Sequence, residues 1–209
     1  MLKDIRRDYQ QFRLDENGLS EHPYDLFRIW MKAAIDSKAD EPTAMTLATC
    51  EDGIPDTRVV LLKELDAAGF IFFTNYASAK GRQIESNSHV ALNFFWSKLE
   101  RQVRVKGVVE KLKTERSVEY FRSRPRESQL GAWASDQSSE IAGREILESR
   151  FKHFEDMYQG KEVRKPDHWG GYLVAATEIE FWQGRPNRLH DRFRYKLEGS
   201  GWSVRRLAP

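Results

Sequence analysis

A chain of 209 residues with 40% hydrophobic and 12% aromatic side chains is long and apolar enough to form one folded domain with a substantial core. Its 34 basic and 32 acidic side chains leave a formal net charge of +2, so bulk charge gives no reason to expect a nucleic-acid or membrane partner. The single cysteine, Cys50, excludes an intrachain disulfide and a metal site built from several cysteines.

Targeting and metal-binding signals are not found in the sequence. No apolar run approaches the length of a membrane span, and the first residues lack the apolar segment of a signal peptide. The five histidines lack the spacing of metal ligands. We therefore expect a cytoplasmic protein without a bound metal.

The chain begins with a polar arm, residues 1–22, which we predict to be flexible, as chain termini usually are. Its charged and aromatic residues include Arg6, Arg7, Asp8 and Tyr9. Residues 23–209 are predicted to form one domain. A helix is expected to begin at Pro23, because proline suits the first helical position, and to end near Ser37.

Beyond this helix the apolar residues alternate with a period of two, which predicts strands. Asp52–Gly53 and Ala68–Gly69 separate the first three strands, as in an antiparallel meander. The predicted strands are residues 43–50, 57–65, 69–75, 89–97, 101–112, 172–183, 192–199 and 202–207.

Helices and loops are predicted between these strands. They are a short helix over residues 78–88 capped by Ser78, a helix capped by Thr114 that runs to Phe121 and breaks before Pro125, a small-residue loop over residues 131–139, and a long helix from about Ser139 to Tyr158. Many strands with tight turns and few helices predict a mainly β, α+β fold: a small antiparallel barrel with peripheral helices.

Two stretches have the composition of anion-binding sites, because each combines hydroxyl groups with a cation where one element gives way to the next. They are Phe73, Thr74, Ser78 and Lys80 in the first stretch, and Tyr120, Arg124 and Ser128 in the second. We interpret one as a cofactor site and the other as a substrate site. Gln102 and the pair Gln137–Ser138 could hydrogen-bond the edge of a ring, although helix capping accounts equally well for the pair.

Arg58 and Lys63 lie at either end of one apolar run. Five residues apart on a regular strand, they point to opposite faces of the sheet. They could be ordinary charges at the ends of a strand. If both bind one ligand, that ligand must wrap round the strand end or a bulge must redirect one of them.

The richest polar cluster surrounds the turn Gly184–Arg185–Pro186–Asn187 within residues 180–193. Its members are Trp182, Arg188, His190, Asp191 and Arg192. Such a cluster could receive a flat, phosphorylated ligand, or it could be a solvated turn.

Hydrolase and nucleotide-binding signatures are missing. The sequence has no Gly-rich Rossmann or P-loop motif and no GxSxG motif. Redox chemistry supplied by an organic cofactor fits the remaining residues better.

Long motifs distributed from Arg6 to Pro209 carry a resemblance to a known family. They include RVVLLK, FTN followed by YASAKG and QIESN, LERQVRVKG, YFRSRPRESQLGAWAS, HWGG, EFWQG, RLHDRF and the terminal RLAP. Together they resemble the pyridoxine/pyridoxamine 5′-phosphate oxidase family.

The resemblance implies a split β-barrel homodimer with FMN bound at the subunit interface. It implies oxidation of pyridoxine 5′-phosphate or pyridoxamine 5′-phosphate to pyridoxal 5′-phosphate, with hydride passing from substrate C4′ to flavin N5 and O2 reduced to H2O2. Two rivals remain. One is another split-barrel flavoprotein with a different acceptor, and the other is a pyridoxal-phosphate-binding protein without flavin.

The same resemblance assigns residues to the two ligands. For FMN they are Arg58, Val59, Val60, Leu61, Leu62, Lys63, Phe73, Thr74, Lys80, Gln102, Gln137, Ser138, Trp182 and Arg192. For the substrate they are Arg6, Arg7, Asp8, Tyr9, Lys63, Tyr120, Arg124, Ser128, Arg188, Leu189 and His190. Arg188 and His190 are the residues expected to act on the reacting ring, with His190 orienting it or accepting a proton.

Two positions depart from the family pattern. The family usually has an arginine before Lys80, where this chain has Ala79. Some relatives have tyrosine at the position of Phe73, so a hydroxyl contact is absent here. We therefore expect weaker FMN retention than is usual for the family, unless Arg82, one helical turn on, supplies the missing guanidinium.

Overall fold

The computed structural model describes residues 1–4 and 8–209 and is dominated by one antiparallel sheet. In this part of the chain the strands are β1 (Ala44–Glu51), β2 (Ile54–Leu61), β3 (Glu64–Leu65), β4 (Phe70–Asn75), β5 (His89–Trp96), β6 (Arg101–Lys111), β7 (Trp169–Gln183), β8 (Asp191–Glu198) and β9 (Gly201–Leu207). The α-helices are α1 (Pro23–Asp36), α2 (Ala79–Ser86), α3 (Thr114–Ser123), α4 (Arg126–Ala134) and α5 (Arg144–Met157). The predicted barrel-type antiparallel fold with peripheral helices is confirmed.

The long strand β7 organises the sheet. Neighbouring strands follow the order β2-β1-β5-β6-β7-β4-β3, and β8 also pairs with β7 and carries β9. One edge of β7 pairs with β6 along most of its length. The other edge pairs with β4 through its first residues and with β8 through its last. The two ends of β7 therefore lie among different strands.

Helix α1 closes the apolar side of this sheet. His22 caps it by accepting a hydrogen bond from the Tyr24 N–H at 3.2 Å, and Pro23 occupies the first turn. The Phe27 ring packs edge-on against Phe70 and Phe94. These side chains are almost completely buried, and burying one of this size stabilises the fold by about 1.5–3 kcal/mol. The helix predicted from Pro23 to near Ser37 is thus confirmed as a core element.

The predicted meander is wrong in one respect. The apolar run over residues 57–65 is divided at Leu62 and Lys63 into β2 and β3, which join different parts of the sheet. Strand β2 pairs with β1, whereas β3 pairs with β4. The Leu62 N–H donates to Thr43 and the Lys63 N–H donates to Ile71, so the chain changes partners between two consecutive residues.

The helices after β6 also differ from the prediction. Thr114 is the first residue of α3 and not its cap. Pro125 ends α3 as predicted, but α4 then covers the first four of the nine residues predicted as a small-residue loop, and it buries Leu130 and Ala134. The long helix begins at Arg144 rather than Ser139, since Ser138 has φ of 73° and Gly143 is extended.

Gly81 fixes how closely α2 approaches the preceding loop. A Cβ at this position would overlap the carbonyl group of Tyr76, which is backbone and cannot swing aside. We expect Gly81→Ala to lower the free energy of unfolding by about 1–3 kcal/mol, as overpacking does. Chemical denaturation of the two proteins measures this difference.

Gly131→Ala is the matched control, because a Cβ at this position in α4 meets nothing within 4 Å. It should leave the stability unchanged or raise it by up to about 1 kcal/mol, the helix preference of alanine over glycine. Equal stability of the two alanine variants would show that the approach of α2 to Tyr76 is not tight.

Candidate active site

A cavity of about 590 Å³ opens where β2 ends at the edge of the sheet. This volume is typical of sites for small molecules and cofactors. Half of the residues predicted to bind ligand line it: Arg58, Val59, Val60, Leu61, Lys63, Phe73, Thr74, Lys80, Tyr120, Arg124, Ser128 and Gln137. Pro125 and Trp169 line it as well. A second cavity of about 400 Å³ continues from it past Asn75 and Ser135.

Charge in the main cavity is one-sided. Among the described residues that line it, four are cations and none is Asp or Glu. Lys80 is only 8% exposed and forms no ion pair within the described residues; its Nζ instead donates to Ser78 Oγ at 3.2 Å and Gln137 Oε1 at 3.3 Å. Burial is the main cause that lowers the pKa of Lys80, and the nearby positive charge of Arg58 lowers it further. A buried cation without a counter-ion is costly, so the cavity is suited to an anion.

Arg124 shows the same deficit of negative charge on the other side of the cavity. Its Nη1 is buried and has no hydrogen-bond partner in the part of the chain that the structure describes. Its guanidinium lies 4.6 Å from the Trp169 ring centroid, and burial lowers its pKa. Because α3 ends here and the backbone turns extended before Pro125, the side chain is directed into the cavity.

Three aromatic rings form a parallel stack beside these cations. The centroids of Phe73 and Tyr120 are 3.9 Å apart with planes 15° apart, and those of Phe73 and Trp169 are 5.5 Å apart at 11°. Gly171 makes the stack possible, since a Cβ at this position would lie 2.8 Å from the Phe73 ring. All three residues line the cavity, so part of its wall is aromatic.

The break in the strand at Leu62 explains how Arg58 and Lys63 can face the same ligand. Both residues line one cavity of a single chain, because β2 ends before Lys63 and the alternation of faces ends with it. Arg58 is anchored by Thr49 Oγ1 at 2.6 Å, Gln83 Oε1 at 2.9 Å and the carboxylate of Asp56. Lys63 is exposed at the mouth.

Lys80, the second residue of α2, lines the cavity, but Arg82 does not. Ser78 is buried and caps the helix by accepting from the Gly81 N–H, as predicted. Arg82 is exposed and donates to the carbonyl of Ala77, and it does not line the cavity. Ala79 therefore has no arginine replacement within α2.

The polar turn after β7 forms a separate cluster. The Trp182 and His190 ring centroids are 4.6 Å apart, and the Tyr9 ring lies edge-on to Trp182 at 5.5 Å. The turn has left-handed backbone at Asn187 (φ 56°) and Arg188 (φ 62°), a conformation that costs about 1 kcal/mol or more for a residue with a side chain. Arg188 and Leu189 are exposed.

Burial lowers the pKa of His190, and the positive charges of Arg188 and Arg192 act in the same direction. The imidazole is therefore neutral at pH 7. Since its folded-state pKa lies below the unfolded value of 6.5, it contributes stability that is complete above that pH and is lost as the pH falls through the folded-state pKa.

The cavity and the polar turn lie at opposite ends of β7. Trp169, which lines the cavity, is the first residue of β7, and Trp182 is the last but one. Thirteen residues of strand span roughly 40 Å, more than a single small ligand can bridge. One chain therefore presents two separate groups of predicted ligand-binding residues.

Comparisons with known proteins identify the family of this chain. Residues 31–158 match the family model described as pyridoxamine 5′-phosphate oxidase, and residues 169–209 match the pyridoxine 5′-phosphate oxidase C-terminal dimerisation region. The chain belongs to the pyridoxamine 5′-phosphate oxidase family. Pyridoxine/pyridoxamine 5′-phosphate oxidases of a Cyanothece species and Actinobacillus succinogenes are 50% and 52% identical over 100% of this chain and 98% and 99% of theirs.

Two solved structures share the fold of the family. PhzG from Burkholderia lata, crystallised with tetrahydrophenazine-1-carboxylic acid, is 28% identical with a TM-score of 0.88, covering 94% of this chain and 98% of its own. An FMN-binding, pyridoxamine 5′-phosphate oxidase-related protein from Nostoc punctiforme has a TM-score of 0.71 at 14% identity, covering 91% of this chain and 100% of its own.

Several residues expected at the site lie elsewhere or are not described. The Leu62 side chain is buried in the core, so only its backbone can face a ligand. Ser138 is exposed in a turn and does not line the cavity. Gln102, Trp182 and Arg192 are neighbours across β6, β7 and β8 at the far end of the sheet. Arg6 and Arg7 lie outside the described residues, and Asp8 is exposed.

The arm is in contact with the barrel from Tyr9 onward. Leu14 is buried, its N–H donates to Asp191 Oδ2 at 3.1 Å, and the Tyr195 hydroxyl donates to the Ser20 carbonyl at 2.8 Å. The division into an arm of residues 1–22 and a domain of residues 23–209 stays a prediction.

Some members of the site have no strong local signal in the sequence. Trp169 and Asn75 line the cavities because β4 and β7 pair at this point. Thr49 and Gln83 matter because they hold Arg58. The HWGG motif contains Trp169 and is the one signal that could have identified it.

Membrane-spanning helices and metal clusters are not seen in the described part of the chain. None of its helices is long and apolar enough to cross a bilayer. No group of three or more His, Cys, Asp or Glu side chains in the same residues could hold a metal ion.

Proposed function

We propose that this chain is an FMN-dependent oxidase that converts pyridoxine 5′-phosphate or pyridoxamine 5′-phosphate to pyridoxal 5′-phosphate and reduces O2 to H2O2. The observation that supports it most is the cavity whose described lining holds four cations, three aromatic rings and no carboxylate. A phosphorylated aromatic compound has the charge and shape to fill it. Relatives of about 50% identity over the whole chain are pyridoxine/pyridoxamine 5′-phosphate oxidases.

The residues present fit FMN as a cofactor. Lys80 is buried at the capped N-terminus of α2 and has no counter-ion among the described residues. A phosphate group at this place is stabilised by both the cation and the helix. Strand β2 pairs with β1 on one edge only, so the backbone of Val59 to Leu61 on the lining of the cavity is available to a ring edge. When bound, FMN supplies the electron acceptor for the substrate and passes the electrons to O2.

The protein holds the substrate through a second set of groups. Arg124, with its unpaired Nη1, would bind the substrate phosphate together with Tyr120 and Ser128. Lys63 at the mouth of the cavity adds a further positive charge. Arg188 and His190 would orient the pyridine ring, which requires that their turn reach this cavity.

A homodimer would bring that turn to the cavity. Within one chain the two groups of residues are separated along β7, but a second copy can bring its Trp182, Arg188 and His190 to the cavity of the first. The family match over residues 169–209 is to a dimerisation region and contains this turn. We therefore propose an FMN and substrate site at the subunit interface, completed by both chains. The expected cytoplasmic location remains a prediction.

Oxygen uptake by FMN-supplemented protein tests this function. We expect turnover of pyridoxine 5′-phosphate and little turnover of unphosphorylated pyridoxine. Bound flavin without turnover of pyridoxine 5′-phosphate or pyridoxamine 5′-phosphate would instead favour another split-barrel flavoprotein with a different acceptor. A protein that stays colourless with added FMN would favour a pyridoxal-phosphate-binding protein without flavin.

A further inference from the structure

Asp191 joins three parts of the molecule at the polar turn. Its Oδ1 is 3.0 Å from Nη1 of Arg206 on β9, and its Oδ2 accepts from the Leu14 N–H of the arm at 3.1 Å. The same Oδ2 is 3.4 Å from Nε of Arg185 at the start of the turn. The carboxylate is 17% exposed and has charged or N–H groups on both oxygens. It thus ties the arm, the turn and the last strand together.

Arg185 is also hydrogen-bonded to His190. Its backbone N–H donates to Nδ1 of His190 at 3.1 Å. A backbone amide nitrogen can only donate, so Nδ1 must be the acceptor and cannot carry a proton. Because burial and the adjacent arginines keep the imidazole neutral, the ring proton lies on Nε2. No residue in the described parts of the chain accepts a hydrogen bond from Nε2.

The turn does not hold this shape through its own backbone preferences. Asn187 and Arg188 are both left-handed, and neither is glycine. One backbone bond, from the Leu189 N–H to the Pro186 carbonyl at 3.1 Å, closes the turn. The contacts of Arg185 with Asp191 and with the Phe12 carbonyl at 3.2 Å add the external restraint that a strained turn needs.

We propose that Asp191 and Arg185 are positioning residues that fix His190 as its Nε2–H tautomer, so that His190 donates a hydrogen bond to the bound ligand and does not take a proton from it. The identity of that ligand rests on the proposed function, whereas the tautomer does not. Two roles are open to His190: orienting the substrate ring or accepting a proton from it. An Nε2–H tautomer favours orientation.

The tautomer is measured on the resting protein with ¹⁵N-labelled histidine. Long-range ¹H–¹⁵N spectra at pH 7.5 distinguish a protonated nitrogen from a bare one, and His190→Asn identifies the His190 signals among the five histidines. We expect a single Nε2–H form in the wild type and a mixture of both tautomers in Asp191→Asn. An Nδ1–H form in the wild type, or identical spectra in the two proteins, would overturn the proposal.

Two further variants supply a control and a second test of the same interaction. Glu16→Gln weakens only the outer pair, in which Glu16 binds Arg206 at 3.0 Å through both carboxylate oxygens, and it should leave the His190 spectrum unchanged. Arg185→Met removes the pair with Asp191 while the carboxylate keeps Leu14 and Arg206, so it provides the same test if Asp191→Asn does not fold. It should give mixed tautomers as well.

Steady-state kinetics separates a donor from a base. Loss of one oriented hydrogen bond in Asp191→Asn should raise KM for pyridoxine 5′-phosphate by about 2- to 10-fold with kcat nearly unchanged. A fall in kcat at constant KM would identify His190 as a proton acceptor and contradict the proposal. If the wild type shows the Nε2–H form but no oxygen uptake, the proposed function fails and the positioning of His190 stands.

Discussion

Arg124→Met is expected to lower kcat/KM for pyridoxine 5′-phosphate by about 10- to 150-fold, the value of a hydrogen bond to a charged group. Most of the loss should appear in KM, because the phosphate is present equally in the ground state and the transition state. Turnover of unphosphorylated pyridoxine should not change. The variant should be no less stable than the wild type, since it removes a half-buried guanidinium whose buried Nη1 has no partner in the described structure.

Arg122→Met is the control for this change. Arg122 lies in the last turn of α3, two residues before Arg124, but is exposed and pairs with Glu162 at 2.8 Å, away from the cavity. It should alter neither kcat/KM nor the preference for the phosphorylated substrate. If both variants lost activity equally, the effect would come from α3 as a whole and not from a phosphate contact of Arg124.

Lys80→Met is expected to weaken FMN binding by about 10- to 150-fold, because it removes one charged hydrogen bond to the cofactor phosphate. Quenching of flavin fluorescence during titration of the apoprotein measures the Kd directly, without reference to activity. Without FMN, the variant should unfold at the same or a higher temperature than the wild type, because burial opposes the charge of Lys80.

Two changes on the same helix complete this experiment. Arg82→Met should leave the Kd of FMN unchanged, because the Arg82 guanidinium binds the Ala77 carbonyl outside the cavity. Ala79→Arg places a guanidinium at the first residue of α2 and should tighten binding. A weaker Kd in Arg82→Met would show that Arg82 does replace the missing arginine when FMN is bound.

The sequence predicted those features of the fold that depend on neighbouring residues. Period-two alternation located the strands, Pro23 located the start of α1, and Ser78 located the cap of α2. The run over residues 57–65 was predicted as one strand because its composition does not change at Leu62. The division depends on pairing with Thr43 and Ile71, which are distant contacts that local composition does not encode.

The site shows the same limit. Motif resemblance identified nearly all of the residues that line the cavity, including both Arg58 and Lys63. It did not show that the lining lacks a carboxylate, or that Trp182 and His190 lie at the far end of β7 from Lys80. Those facts follow from the path of a 15-residue strand that changes neighbours halfway along.

The separation of the two groups along β7 has a genetic consequence. If each site takes its cations from one subunit and its turn from the other, a mutation at Arg124 and a mutation at His190 damage different halves of a site. A cell that carries one copy of each would form mixed dimers in which one site receives both defects and the other receives neither. Two alleles that are inactive alone would therefore complement each other, with at most about a quarter of the sites intact when the subunits pair at random.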